Sequence, residues 1–301
     1  MFIVFYSAIS DRNNVNMINS FVMMLGKNYF LFTISCTRDI KIRNNNEDNF
    51  WCCGELLPAQ NQGMDHIRSG SVSQKELPLL AVFDGMGGES CGEMASYIAA
   101  SSCGEYYEQY REEISEDPEQ FLKNACIRMN QAVCDYSAEN KIRSMGTTAA
   151  VLAFAGNQVY GCNLGDSRIY QAEDSQFRRV SRDHVLGGSL FGKSPLTQYV
   201  GIPEESMALE PSIVKMEVHP GMRYLLCSDG LTDMLSDGEI ADILTRELPV
   251  QETVELLLER ALKKGGRDNA TMVLCEIREP EKTWFHKMLD RMHKRDEGDE
   301  K

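Results

Sequence analysis

The residues of this chain most able to do chemistry are carboxylates, and each sits at the end of an apolar strand or at the start of a loop beside Gly or Asn. Asp84 directly follows LLAVF and precedes Gly-Met-Gly-Gly. Asp229 follows LLCS, Asp268 follows Gly-Gly-Arg ahead of NATMVL, Asp166 lies in CNLGDSR, and Glu47–Asp48 lie in RNNNEDNF. An aspartate at the end of a buried strand is costly if it is ionised and unpaired. Either the side chain caps a turn or it binds a cation. Asp-Gly and Ser-Asp-Gly are ordinary turn sequences, so any one of these sites alone reads as a turn. Five such sites in one chain shift the balance toward a cation. All-oxygen ligands suit hard ions such as Mg²⁺ or Mn²⁺ rather than zinc. Gly85 contributes too, because a residue without Cβ lets its carbonyl approach an ion closely.

Rival chemistries fare less well. Cys162 and Arg168 have the C-x5-R spacing of cysteine-dependent phosphatases. A nucleophilic thiolate needs an electropositive niche, and Asp166 inside the would-be cradle would repel an anion. DGLTD at Asp229 lacks the DxD of aspartyl-phosphate enzymes. None of His66, His184, His219, His286 and His293 falls beside one of these five candidate cation sites, and His184, in SRDH, reads as structural.

These carboxylates must be held by strands. YFLFTISC, NFWCCGEL and LPLLAVF read as strands, with a loop over Pro58–Glu76 between the second and third. Helices are expected over Glu89–Glu113 and Pro118–Asn140, the latter capped by Asp117 ahead of a proline at its first position. TTAAVLAF, QVYGCNL, SRIYQA and FRRVS, separated by Gly-Asn, Gly-Asp and Glu-Asp turns, suggest an antiparallel meander. A loop-rich stretch, Asp183–Pro211, precedes the strands IVKMEV and RYLLCSD. Helices over Asp237–Glu247 and Gln251–Lys264 and a last strand, ATMVLCEI, follow. Strands and helix pairs segregated in this way argue for antiparallel sheets with helices outside, an α+β class.

The chain has 301 residues, 43% hydrophobic and 25% charged, enough to bury a full core without staples. A net charge of −14 disfavours partners such as nucleic acid or an anionic membrane surface. No apolar run is long enough to span a membrane. The start, MFIVFYSAIS, lacks the basic leader of a secretory signal. The ten cysteines show no CxxC pair, which reads as a reducing cytoplasm. Residues 1–27 read as an N-terminal extension or a start placed too early, with Met17, Met23 and Met24 as later starts. Residues 279–301 read as a charged tail, with Trp284, Met288 and Met292 at helical spacing.

Taken together, RNNNED, VFDGMGG, MGTTAA, NLGDSR, CSDGLTD and GGRDNAT stand in the order and spacing of one family. The region 28–278 resembles the type 2C metal-dependent Ser/Thr protein phosphatases in their bacterial form. That resemblance implies a four-layer α-β-β-α sandwich of two packed, mainly antiparallel sheets flanked by helix pairs. It implies two Mn²⁺ or Mg²⁺ ions at the sheet edge and a third, weaker one. On this reading Asp84 bridges two ions, Gly85 offers its carbonyl, and Asp229 and Asp268 hold the first ion. Glu47 and Asp48 face the second, Asp166 is linked with the third beside Asp229, and Arg43 contacts the substrate phosphate. The residue after Asp84–Gly85, a histidine in some members, is Met86 here and cannot donate a proton. A metal-bound water is then expected to protonate the leaving group. The stretch Asp183–Pro211 lies where bacterial relatives carry a flap. The resemblance implies hydrolysis of phosphoserine and phosphothreonine in proteins without a phosphoenzyme, opposing a Ser/Thr kinase in a bacterial cytoplasm. The alternative is an inactive phosphoprotein-binding module on the same fold.

Overall fold

A computed structural model describes residues 31–39, 45–60, 64, 66–87, 91–187 and 194–279. The expected extension at 1–27, most of the expected tail, Arg43 and the centre of the expected flap, 188–193, lie outside them. Leu31–Arg278 form one compact unit.

Its centre is a pair of antiparallel sheets. The first has the order β3 (Arg68–Ser73), β1 (Leu31–Asp39), β12 (Ala270–Arg278), β11 (Arg223–Cys227), β8 (Arg168–Glu173) and β9 (Gln176–Arg179). The second has the order β10 (Ser212–Glu217), β7 (Gln158–Leu164), β6 (Ala149–Ala155), β4 (Leu79–Met86) and β2 (Asp48–Trp51), with the two-residue β5 (Gly146–Thr147) on the end of β4. Alternation of side chains explains the layering. On one face of the second sheet Leu80, Val82, Leu152 and Phe154 turn toward the first sheet, where Phe154 meets Tyr224 edge-on with ring centroids 6.0 Å apart. On the other face Leu79, Ala81, Phe83, Val151 and Ala153 pack against helices. Both faces of these strands are buried, which is why LPLLAVF is a continuous apolar run rather than an alternating one.

The outer layers are helix pairs. On the second sheet lie α1 (Gly92–Tyr110) and α3 (Pro118–Glu139), joined through the short α2 (Glu113–Glu116); Ala95, Ala99, Cys103, Phe121, Met129 and Val133 face the strands. Helix α1 comes close because its contact residues are small. A Cβ at Gly104 would stand 2.2 Å from the ring of Trp51, so the helix seats directly on β2. On the first sheet lie α4 (Asp229–Thr232), α5 (Asp237–Leu244) and α6 (Val250–Lys263), with Ile240, Ile243, Val254 and Leu257 turned inward. The four-layer sandwich expected from the sequence is therefore present. The expected cap also forms. Asp117 accepts from the amide of Gln120 at 3.0 Å at the start of α3.

Three local expectations need correction. The loop expected over Pro58–Glu76 contains β3 and a 3-10 turn at Gln74–Glu76. RSGSVS has no apolar alternation because β3 is an edge strand, half-exposed and paired only with β1. The strand expected through NFWCCGEL stops at Trp51 and reverses over Cys53–Gly54, both at positive φ (54° and 79°). The helix expected over Glu89–Glu113 ends at Tyr110 and is followed by the separate α2. Among the described residues no helix is long and apolar enough to cross a membrane.

Candidate active site

The acidic sequence sites converge at one end of the two sheets. Asp48 opens β2 and Asp84 lies near the end of β4, and the antiparallel register sets them directly opposite each other. Paired residues in adjacent strands project to the same face. Asp48 is only 1% exposed, while Asp84 is half-buried. Two carboxylates in this relation repel unless something positive is shared between them.

The surrounding backbone is locked around this pair. Thr148 holds Asp84 twice: its hydroxyl accepts from the Asp84 amide at 3.0 Å, and its amide donates to the Asp84 carbonyl at 2.9 Å. The hydroxyl of Thr147 donates to the same carbonyl at 2.9 Å. Ser167, next to Asp166, shares a 2.6 Å hydrogen bond with Thr148, which ties the Gly165–Asp166 turn to the end of β4. Gly85 is irreplaceable on steric grounds. Its amide donates to the Glu47 carbonyl at 3.0 Å, and a Cβ there would stand 2.0 Å from the Gly92 carbonyl oxygen and 2.5 Å from that of Glu47.

From the first sheet come Asp229 and Asp268. Asp229 is 8% exposed and starts α4, directly after β11, and Asp268 precedes β12. Asn269 joins them to the second sheet. Its side chain accepts from the Glu47 amide at 2.8 Å and donates to the Asn45 carbonyl at 3.1 Å, while its own carbonyl lies 1.9 Å from where a Cβ on Gly230 would be. Glu47 lies beside Gly92 at the start of α1, where the positive end of the helix dipole favours a carboxylate.

Glu47, Asp48, Asp84, Gly85, Asp229 and Asp268 thus occupy interlocked segments, and Asp166 is linked to them through Ser167 and Thr148. Arg43 lies outside the described residues. Among the described residues no three Asp, Glu, His or Cys side chains are gathered closely enough to hold a metal ion. The donor set still fits divalent cations: all-oxygen, with two carboxylates in direct opposition and a Cβ-free carbonyl at Gly85.

Sequence reasoning missed the residues that hold this set. Ser228, wholly buried, donates its hydroxyl to Asp48 at 2.7 Å and accepts from the Thr271 amide at 3.0 Å. Thr147, Thr148 and Asn269 stand inside motifs the sequence displays, MGTTAA and GGRDNAT, but nothing in their spacing reveals these contacts.

The rejected alternatives are accounted for. Cys162 is fully buried, its sulfur 3.5 Å from that of Cys126, and that contact and burial push its thiol well above the usual range. Arg168 is engaged by Asp183 at 2.8 Å. His184 is bound on both ring nitrogens. Nδ1 accepts from the Gly165 amide at 3.3 Å, so Nε2 carries the proton and donates to Ser212 at 2.7 Å. Burial, then the charge of Arg182, lowers its pKa, which keeps it neutral. At the base of the expected flap, bridges join Val185 to Leu196 and Thr147 to Val200. A cleft of about 400 Å³ there is lined by Arg182, His184, Thr197, Gln198, Met207 and Glu210.

Residues 62–270 match the family model of protein phosphatase 2C. The serine/threonine protein phosphatase PstP of Mycobacterium tuberculosis is 33% identical over 211 residues, covering 66% of this chain but 40% of that relative. The chain therefore spans less than half the length of the mycobacterial protein. Protein phosphatase PhpP of Streptococcus pneumoniae is 29% identical over 222 residues, covering 69% of this chain and 89% of that one. The solved catalytic domain of PstP in complex with 2 manganese ions superposes with a TM-score of 0.66 at 28% identity, covering 83% of this chain and all of the other.

Proposed function

The chain belongs to the protein phosphatase 2C family, and from that premise we propose that it hydrolyses phosphoserine and phosphothreonine monoesters in proteins with a metal-activated water. The observation that carries this reading is the direct opposition of Asp48 and Asp84 beside Asp229 and Asp268 at one sheet edge. In this proposal Asp84 and the Gly85 carbonyl, with Asp229, Asp268, Asp48 and Glu47, would hold two Mn²⁺ or Mg²⁺ ions, and Asp166 would serve a weaker third ion. When bound, such a pair lowers the pKa of a water and offsets charge on the phosphoryl oxygens.

The chain's own residues supply position. Thr147 and Thr148 fix the Asp84 backbone, Ser228 fixes the Asp48 carboxylate, and Asn269 fixes the loop segment that leads into it. Phosphate monoester hydrolysis is among the slowest uncatalysed reactions, so this preorganisation has a large barrier to lower. Arg43 is proposed to clamp the substrate phosphate through a planar, bidentate guanidinium. His184, committed on both nitrogens, is not proposed as a proton donor. The family supports phosphoproteins as substrates; an opposing Ser/Thr kinase and a cytoplasmic setting are part of the proposal.

The mechanism is tested by single-turnover hydrolysis of a phosphothreonine peptide in isotopically labelled water. One solvent oxygen should enter the released phosphate, with no phosphate left on the chain. A phosphorylated chain intermediate would exclude direct attack by water.

A further inference from the structure

Outside the acidic edge, the turn that ends β2 places two sulfurs side by side. The Cys52 Sγ donates to the Cys53 Sγ at 3.8 Å. The turn is a tight hairpin: the Cys52 amide donates to the Glu55 carbonyl, and the Glu55 amide to the Cys52 carbonyl, each at 3.0 Å. Its two central residues, Cys53 and Gly54, have φ of 54° and 79°, the left-handed pair that such turns require. Asn or Gly normally takes the first of these positions, and a cysteine there carries backbone strain. The hydrogen-bonded turn places Cys53 at the tip, where it is exposed, while Cys52 is 6% exposed beneath it. Gly70, on strand β3, lies close by: a Cβ there would stand 4.0 Å from the Cys53 sulfur, in ordinary contact with it.

We propose that Cys52 and Cys53 form a reversible dithiol redox site, in which Cys53 reacts first with a peroxide and Cys52 resolves it. The Cys53 thiolate attacks one oxygen of hydrogen peroxide, the O–O bond breaks, and sulfenic acid and hydroxide form. The Cys52 sulfur then attacks the Cys53 sulfur; an S–S bond forms, the S–O bond breaks, and the Cys52 proton leaves with the hydroxyl as water. Two electrons pass from the sulfurs to the peroxide. The hydrogen bond from Cys52 lowers the Cys53 pKa, against the partial desolvation of its sulfur and the nearby carboxylates of Glu55 and Glu76. The product is suited to a switch rather than a staple. Adjacent Cα atoms stand about 3.8 Å apart, shorter than disulfides prefer, so the bond is strained and easily reduced. Closing so short a loop also adds almost nothing to stability.

The test is peptide mapping of the full chain after treatment with hydrogen peroxide. The peptide carrying both residues should lose two hydrogens and resist alkylation, and dithiothreitol should restore it. Cys53→Ser should abolish the change. Cys52→Ser should leave a sulfenic acid at Cys53 that dimedone captures. In the untreated protein, phenylarsine oxide should bind the pair and fail to bind either variant there, which checks the geometry without oxidation. Oxidation of Cys53 to a sulfinic acid or to a disulfide between chains, with Cys52 still open to alkylation, would overturn the proposal.

Discussion

The Ser228 hydroxyl reaches across 180 positions of sequence to a carboxylate oxygen of Asp48, 2.7 Å away, and so joins the end of one sheet to the first residue of a strand in the other. The bond is charge-assisted and wholly buried, and the Ser228 hydroxyl oxygen in turn accepts from the Thr271 amide. Ser228→Ala should cost about 2 kcal/mol in urea unfolding, the range for a hydrogen bond to a charged group. Residues that orient a metal ligand typically change affinity 10- to 100-fold, so Mn²⁺ binding by calorimetry should weaken by about that factor. Unchanged binding would mean that Ser228 supports the fold alone.

Two glycines separate steric necessity from convenience. A Cβ on Gly230 would meet the Asn269 carbonyl oxygen at 1.9 Å, a backbone atom that cannot swing away. Gly230→Ala should therefore cost about 4 kcal/mol or more, or prevent folding. A Cβ on Gly238, within α5, meets nothing within 4 Å. Gly238→Ala should raise stability by about 0.5–1 kcal/mol, the difference between these residues in a helix. Thermal unfolding of the two variants checks both.

Much of this was legible in the sequence because burial leaves a strong signal. A strand covered on both faces becomes an apolar run, and LLAVF and RYLLC could be read as strands with Asp84 and Asp229 just beyond them. An edge strand leaves no such signal, so RSGSVS read as a loop. The turn at Cys53–Gly54 was hidden because cysteine is not a turn residue. The residues that steady the carboxylates were hidden for a different reason. Ser228, Thr148 and Asn269 act through contacts between segments far apart in sequence, which local spacing does not encode.

Neutral, buried His184 gives a pH signature. Its folded pKa is lowered from the ordinary value near 6.5, so the unfolded chain takes up a proton at a higher pH than the folded one. Stability from this group is complete above about pH 6.5 and falls as the pH drops through the folded pKa. Urea unfolding between pH 5 and 8 should show that decline in the wild type, and His184→Gln should remove its share of it. Equal slopes in both proteins would contradict the assignment.

The C-x5-R segment makes its own prediction. Cys162 lies in the core with its thiol held protonated, so Cys162→Ala should retain phosphatase activity while losing about 1 kcal/mol of stability to the vacated volume. Activity lost in a folded variant would return the cysteine to the mechanism.

The account is tested most directly by phosphate release from a phosphothreonine peptide, measured with Mn²⁺, with chelator, and with Asp229→Ala. Release that requires the metal, stops with chelator and vanishes in a folded Asp229→Ala variant is the predicted result. No turnover by folded wild type supplied with Mn²⁺ or Mg²⁺ would contradict it and leave a phosphoprotein-binding module on a phosphatase fold.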